Sequence, residues 1–297
     1  MDNKNTITIV SVTDNHFIVL LAAMLKSLEM NHKSDDKIEL YLVEEKVTSK
    51  NKGKINQTIK SKDIKIYWLS IDTVVDKKKL PLDSSSFPLN VYIRLFIPYF
   101  LPKEIKKVIY LDVDMIVKND ISNLWQIDLG DKIIGGVVDR SEVVSCYWAG
   151  IRNYKELGIR PQAKYYNSGL LMINTEEWRE RRIPESIIKC INENKRFCNF
   201  PDQYGLNVVF ADKWHEIDAK WNTYSISDES NPFIIHFTGR KPIYSAYNFN
   251  ENYKNDFYKY LSLTPWKNFQ PLSESNRNIK KAYNKIIKKI FSFFSYS

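Results

Sequence analysis

Residues 107–117 read KVIYLDVDMIV, an apolar run broken by two carboxylates, Asp112 and Asp114. The run predicts a strand, and alternation sets both aspartates on one face with Leu111 and Val113 on the other. Two carboxylates in one strand are costly to bury unless a cation or hydrogen-bond donors meet them. At the carboxyl end of a strand they can hold a divalent ion through oxygen ligands. A solvated aspartate pair is the common alternative, but apolar residues flank this pair on both sides.

Working outward, residues 6–12 (TITIVSV), 38–43 and 64–71 (IKIYWLSI) predict strands before it, and 133–138 a strand after it. Between them, 17–30, a polar stretch 48–60, and 91–100 carry helical patterns. Strands alternating with helices predict an α/β domain with a mostly parallel sheet flanked by helices. Ligands of such sheets sit at the carboxyl ends of the strands. Downstream, 169–173 predicts a short strand, 184–194 and 203–210 helices, 233–237 (FIIHF) a late strand and 252–261 a helix. Residues 263–275, with Pro265 and Pro271, read as a linker, and no internal repeat is visible.

The 297 residues are 43% hydrophobic with only 9 Gly and 11 Pro, enough for a substantial core and little low-complexity chain. Three cysteines, Cys146, Cys190 and Cys198, have no metal-ligand or redox spacing and fit a reducing compartment. Residues 1–12 lack the basic start and apolar core of a signal peptide. The apolar run 17–25 falls short of the roughly 20 residues that span a bilayer. Net charge is +9, but Arg277, Lys280, Lys281, Lys285, Lys288 and Lys289 supply six of those charges within the last residues. The body is mildly basic, and no nucleic-acid motif accompanies the charge.

No glycine-rich phosphate loop of either common spacing occurs, so a diphosphate ligand needs a metal and cationic side chains instead. Residues 236–241 (HFTGRK) supply such parts: His236 as a metal ligand, Gly239 for close backbone approach, Arg240 and Lys241 for charge. A lone histidine on an apolar strand is more often structural. Asn167 (YYNSGLLMIN) and Asp202-Gln203 (FPDQYGLN) edge apolar segments, where Asp202 would also serve as a helix N-cap. Arg94, inside VYIRLFI, needs an anionic partner if buried.

In their order along the chain, TDNHF, YIRL, YLDVDMIV, YYNSGLLMIN, PDQYGLN and HFTGRKP resemble glycosyltransferase family 8, from residue 9 to about 242. That family holds bacterial lipooligosaccharide galactosyl- and glucosyltransferases and glycogenin. The resemblance implies a GT-A fold, a UDP-sugar donor and retention of anomeric configuration. It implies that Asp112, Asp114 and His236 hold Mn2+, or Mg2+, against the UDP diphosphate. Val12 and Asp14 would contact uridine, with Thr13 and Val113 in the same nucleotide-binding set and Phe17 stacked on uracil. Gly239 and Lys241 would meet the diphosphate. Arg94, Asp139, Asn167, Asp202 and Gln203 would surround the donor sugar as the catalytic set, Gln203 nearest the anomeric carbon.

Two departures stand out. The family segment usually reads H-x-x-G-x-x-K-P-W; here it is one residue shorter before the lysine, and Ile243 replaces the tryptophan. This leaves open whether Arg240 or Lys241 reaches the phosphate. His16 stands where a small polar residue is frequent. Retention is compatible with double displacement or same-face substitution, Asp202 being a better nucleophile than Gln203.

Ile279, Tyr283, Ile286, Ile287, Ile290 and Phe294 share one helical face and Lys281, Lys285, Lys288 and Lys289 the other, the pattern of an interfacial helix at an anionic membrane. The expected organisation is a catalytic domain over 1–263 and a linker with basic amphipathic tail over 264–297. The expected setting is cytoplasmic, peripheral on the inner face of the cell membrane. The expected acceptor is a glycan, lipid-linked or a surface polysaccharide precursor. A UDP-sugar hydrolase, a protein-directed transferase and a catalytically silent sugar-nucleotide-binding module are the alternatives.

Overall fold

The computed structural model describes residues 6–75 and 90–273; the amphipathic pattern of 278–297 lies outside the described residues. The chain opens with β1 (Thr6–Asp14), α1 (Ile18–Asn31), β2 (Lys37–Glu45), α2 (Ser49–Thr58), β3 (Ile64–Ser70) and α3 (Ile71–Val74). α4 (Asn90–Phe100), β4 (Lys107–Leu111), β5 (Met115–Val117), α5 (Ile121–Trp125), β6 (Ile134–Val143) and β7 (Lys164–Asn174) follow. The last third holds α6 (Thr175–Glu180), α7 (Ile183–Glu193), α8 (Pro201–Val209), β8 (His215–Glu216), β9 (Thr223–Tyr224), β10 (Ile234–His236) and α9 (Glu251–Leu261).

Seven strands form the main sheet in the order β3-β2-β1-β4-β7-β6-β8, and β5-β10-β9 form a small second sheet. β1, β2, β3 and β4 pair in parallel, as crossover helices require, while β7 runs antiparallel between β4 and β6. α1 is apolar on all sides and every residue from Ile18 to Leu28 is buried, including Lys26, which pairs with Glu29. α1 packs against β5 and α9 on one face of the main sheet. The other face carries α4, α7 and α8 around Trp178, whose indole N–H donates to Leu95 O at 2.9 Å.

Three expectations need correction. Residues 107–117 are not one strand: β4 belongs to the main sheet and β5 to the second, with Asp112-Val113-Asp114 as the joint. The two sheets clamp that joint, Asp112 N–H donating to Gly169 O and Phe237 N–H to Asp114 O, both at 2.8 Å. The short strand expected over 169–173 is the C-terminal part of an 11-residue strand whose central polar residues, Asn167 and Ser168, are buried. The stretch expected as a linker folds back as far as it is described: Trp266, Phe269 and Leu272 pack on the core, and Leu272 bridges to Tyr244.

Candidate active site

The joint between the sheets puts Asp112 and Asp114 at the carboxyl end of β4, beside His236 at the end of β10. One ligand atom from each lies within 4.8 Å of the others. His236 Nε2 is 3.8 Å from Asp112 Oδ2 and 3.3 Å from Asp114 Oδ1. Its other ring nitrogen is 2.8 Å from Asn222 Oδ1, a carbonyl that can only accept, so Nδ1 donates there and Nε2 is the nitrogen that faces the carboxylates. Two carboxylate oxygens and one imidazole nitrogen fit a divalent ion such as Mn2+ or Mg2+. Lys241 also reaches Asp114, and donates to Phe237 O at 2.7 Å. Burial works against charge on Asp114, but Lys241 and His236 outweigh it and hold the carboxyl well below the usual range.

A cleft of about 290 Å3 opens at this cluster, lined by Val12, Phe17, Val91, Arg94, Tyr110, Asp112, Val113, Asp114 and Lys241. Its lining combines apolar side chains, Val12 and Phe17 among them, with the charged Arg94, Asp112, Asp114 and Lys241. Thr13 and Asp14 are taken up locally: the Thr13 hydroxyl donates to Asp14 O, and Asp14 Oδ1 accepts the N–H of His16 at 2.8 Å and of Phe17 at 2.9 Å, opening α1. Gly239 does not line the cleft; its φ of +74° is the left-handed turn that brings Lys241 back to Asp114. Arg240 turns elsewhere, to Ala246 O at 3.2 Å and Asn248 Oδ1 at 3.1 Å. His16 contacts Tyr244 Oη at 2.7 Å, fastening the start of α1 to the segment after Lys241.

Arg94 is the buried hub between the acidic joint and β7. Its Nη2 donates to Asp112 Oδ1 at 3.1 Å, its Nη1 to Ser168 O at 2.5 Å and Ser168 Oγ at 2.9 Å, and its Nε stands 3.3 Å from Asp202 Oδ2. Burial opposes the guanidinium charge, but Asp112, Tyr110 and Asp202 more than compensate. Tyr110 donates to Asp112 Oδ1 at 2.6 Å. Asp202 is not an N-cap: Phe200 holds that position, and the Asp202 carboxylate is buried inside α8, accepting from Ser168 Oγ at 3.1 Å. Burial pushes its carboxyl up, and Arg94 only partly offsets this.

Two irregularities in strand pairing aim the remaining polar groups. Between β6 and β7 the register slips at Gly136/Val137 and again at Val138/Val143, so residues 168–170 of β7 and 139–142 of β6 leave the ladder. Bulges of this kind re-aim side chains at sheet rims. Asp139 Oδ2 thereby accepts from Asn167 Nδ2 at 3.0 Å, Tyr224 Oη at 3.1 Å and Gln203 Nε2 at 3.4 Å. Gln203 Oε1 accepts the Ser168 N–H at 3.0 Å. Asn167 Oδ1 accepts from Asn222 Nδ2 at 3.1 Å, closing a path from His236 through Asn222 and Asn167 to Asp139 and Gln203.

The structure therefore brings Arg94, Asp112, Asp114, Asp139, Asn167, Asp202, Gln203, His236 and Lys241 into one connected site. Asn222, Tyr224, Ser168 and Gly169 belong to it and were not singled out from sequence. Only Gly169, a glycine within an apolar strand, carried a signal that a close approach was needed.

A mostly parallel sheet with an acidic joint at its carboxyl edge defines a GT-A-like glycosyltransferase. The chain belongs to glycosyltransferase family 8: the profile of that family, Glycosyl transferase family 8, matches residues 8–242. General stress protein A of Bacillus subtilis is 29% identical over 279 residues, 87% of this chain and 94% of its own length. Lipopolysaccharide glucosyltransferase WaaO of Escherichia coli is 28% identical over 229 residues, 72% of this chain and 65% of its own. Among solved structures, the galactosyltransferase LgtC in complex with donor and acceptor sugar analogs superposes with a TM-score of 0.71 at 21% identity, covering 87% of this chain and 96% of that one. The bifunctional WbbM gives a TM-score of 0.76 at 21% identity, over 90% of this chain and 51% of that one. Likeness at such identity establishes the shared fold.

Proposed function

We propose that this enzyme transfers a hexose, galactose or glucose, from a UDP-sugar to a glycan acceptor with retention of anomeric configuration. The observation that carries the reading is the meeting of Asp112, Asp114, His236 and Lys241 beside a cleft whose lining also includes the apolar Val12 and Phe17. Uracil would lie at Val12 and Phe17, and the diphosphate beside Lys241. The names of WaaO and LgtC, a glucosyltransferase and a galactosyltransferase, support a hexose donor.

Asp112, Asp114 and His236 would hold Mn2+ or Mg2+, which supplies Lewis-acid stabilisation of the leaving diphosphate when bound. Lys241 adds a charge where negative charge develops as UDP departs. Arg94 fixes the donor-sugar side through Asp112, Ser168 and Asp202. Asp139, Asn167 and Gln203 meet the sugar hydroxyls and the anomeric centre. Asp202 is committed to Arg94 and Ser168 and is buried, which favours same-face substitution over attack by its carboxylate.

A lipid-linked or surface polysaccharide precursor is the proposed acceptor. The proposed place is the inner face of the cell membrane, reached through the basic amphipathic residues 278–297. No helix among the described residues is long and apolar enough to cross a membrane. Loss of liposome binding on removing 278–297 is expected; unchanged binding would remove the membrane assignment.

The deciding experiment is UDP release from a panel of UDP-sugars with Mn2+ and with chelator, for the parent and for Asp112→Asn. Turnover of one UDP-hexose that chelator and the substitution both abolish is the expected result. Near-normal turnover by Asp112→Asn would sink the metal-site assignment. Turnover without any gain from added glycan would make the enzyme a UDP-sugar hydrolase.

A further inference from the structure

Beyond the donor cleft, an ordered turn holds two aromatic side chains out in solvent. Tyr147 is 88% exposed and Trp148 48%. The turn beneath them is firmly built: Gly150 N–H donates to Cys146 O at 2.8 Å, Ile151 N–H to Val144 O at 2.7 Å, and Val144 N–H to Ala163 O at 2.9 Å. An ideal Cβ on Gly150 would lie 2.2 Å from Val144 O, so the backbone closes at a place only glycine fits. Trp and Tyr bring large apolar gains when buried, yet here the Tyr147 ring is almost wholly exposed and about half of Trp148 is left open.

The turn is tied to the site. Asp139 points into the polar network, while Arg140, next along the same bulge, places its guanidinium over the Trp148 ring at 5.7 Å. The bulge ends at Glu142, whose φ of +59° is a strained value for a non-glycine residue. Asp139, Arg140, Asn222 and Tyr224 share the lining of a second cleft of about 330 Å3. The lining of that cleft thus includes both Asp139, which accepts from Gln203 and Tyr224, and Arg140, which stacks on Trp148.

We propose that Tyr147 and Trp148 form a stacking platform for a hexopyranose of the acceptor, one or more sugars removed from the residue that receives the transferred hexose. The C–H face of a pyranose packs flat on an aromatic ring, and Arg140 beside Trp148 and Glu142 in the adjoining cleft offer polar partners for its hydroxyls. A turn set by its own backbone bonds pre-organises the rings, so little ordering entropy opposes binding. The inference rests on the glycan-acceptor reading above and adds to it a specificity element outside the donor site.

The test compares the parent with Trp148→Ala, Tyr147→Ala/Trp148→Ala and Trp148→Phe. Each is assayed for UDP-hexose hydrolysis in water and for labelling of a printed array of neutral mono- to tetrasaccharides, without membranes. We expect the alanine variants to lose about tenfold in labelling through a raised KM for the glycan. Donor hydrolysis should stay within about twofold, and Trp148→Phe should recover most of the labelling. Labelling equal to the parent's, or labelling and hydrolysis falling together, overturns the platform. Equal labelling with weakened binding to phosphatidylglycerol vesicles overturns it in favour of a membrane contact. A parent that hydrolyses UDP-hexose and labels no glycan instead overturns the acceptor reading, and the platform with it.

Discussion

An ideal Cβ on Gly169 would lie 2.4 Å from Cε1 of His236, and only 2.9 Å from Asp112 Oδ2. The space beside this glycine is therefore part of the site: β7 passes so close to Asp112 and His236 that no side chain fits between. Gly169→Ala must push His236 or Asp112 aside. A displacement near 1 Å at a reacting centre costs about 100-fold in rate. We expect that loss in UDP-hexose turnover, with folding retained by circular dichroism. Full turnover in Gly169→Ala would show that His236 is free to shift and is not held in a working position.

Asn222 sets the tautomer of His236 through its Oδ1 and ties the histidine to Asn167 through its Nδ2. Asn222→Ala leaves the imidazole without its orienting partner. Loss of such a partner typically weakens metal binding about 10- to 100-fold. Calorimetry with Mn2+ should show that drop. Asn222→Asp, which keeps an acceptor for Nδ1–H but loses the donor to Asn167, should recover metal affinity more than turnover. Equal Mn2+ affinity in all three proteins would reduce Asn222 to a packing residue.

Asp120 fastens the β1–α1–β2 crossover to α5. Its Oδ2 accepts the N–H groups of Lys33 and Ser34, both at 2.8 Å, and its Oδ1 that of Ser122 at 3.0 Å. Burial opposes its charge, but the N–H groups of Ser122 and Lys33 win, and the carboxyl is lowered from 3.8 to about 2. A folded value below the unfolded one gives stability that is complete above the unfolded value and is lost as pH falls from 3.8 toward about 2. Asp120→Asn should destabilise the protein by about 1–3 kcal/mol near neutrality, and the gap from the parent should narrow below about pH 4. Denaturant titrations across that range measure it; a gap that widens on acidification would reverse the sign of the argument.

Periodicity made the parallel half of the sheet legible because each of its strands and helices is patterned locally. The break at Asp112-Val113-Asp114 was hidden, since β4 and β5 are both apolar and nothing local says that they serve different sheets. The length of β7 was hidden by Asn167 and Ser168, which look like a strand edge but are satisfied in the interior by Gln203, Asp202 and Arg94. Asn222 and Tyr224 sit in KWNTY, a stretch with no pattern at all; their place comes from the pairing of β9 with β10. The ligand cluster was suggested by the order of motifs, not by any one of them, because Asp112 and His236 meet only when the second sheet forms.

The shortened segment between Gly239 and Pro242 raised the question of which cation serves the diphosphate. Lys241 lines the cleft and pairs with Asp114, whereas Arg240 is exposed and bonded to Ala246 O and Asn248. Lys241→Ala should therefore lower turnover about 100-fold, the typical effect of removing one group that stabilises developing negative charge. It should also weaken UDP binding. Arg240→Ala removes an exposed contact of small energetic weight, and both quantities should remain near the parent's. UDP calorimetry and initial rates on the two variants separate the residues. The reverse pattern, with Arg240→Ala impaired and Lys241→Ala intact, would mean that the segment rearranges on binding the nucleotide and that the Lys241–Asp114 pair belongs to the ligand-free enzyme alone.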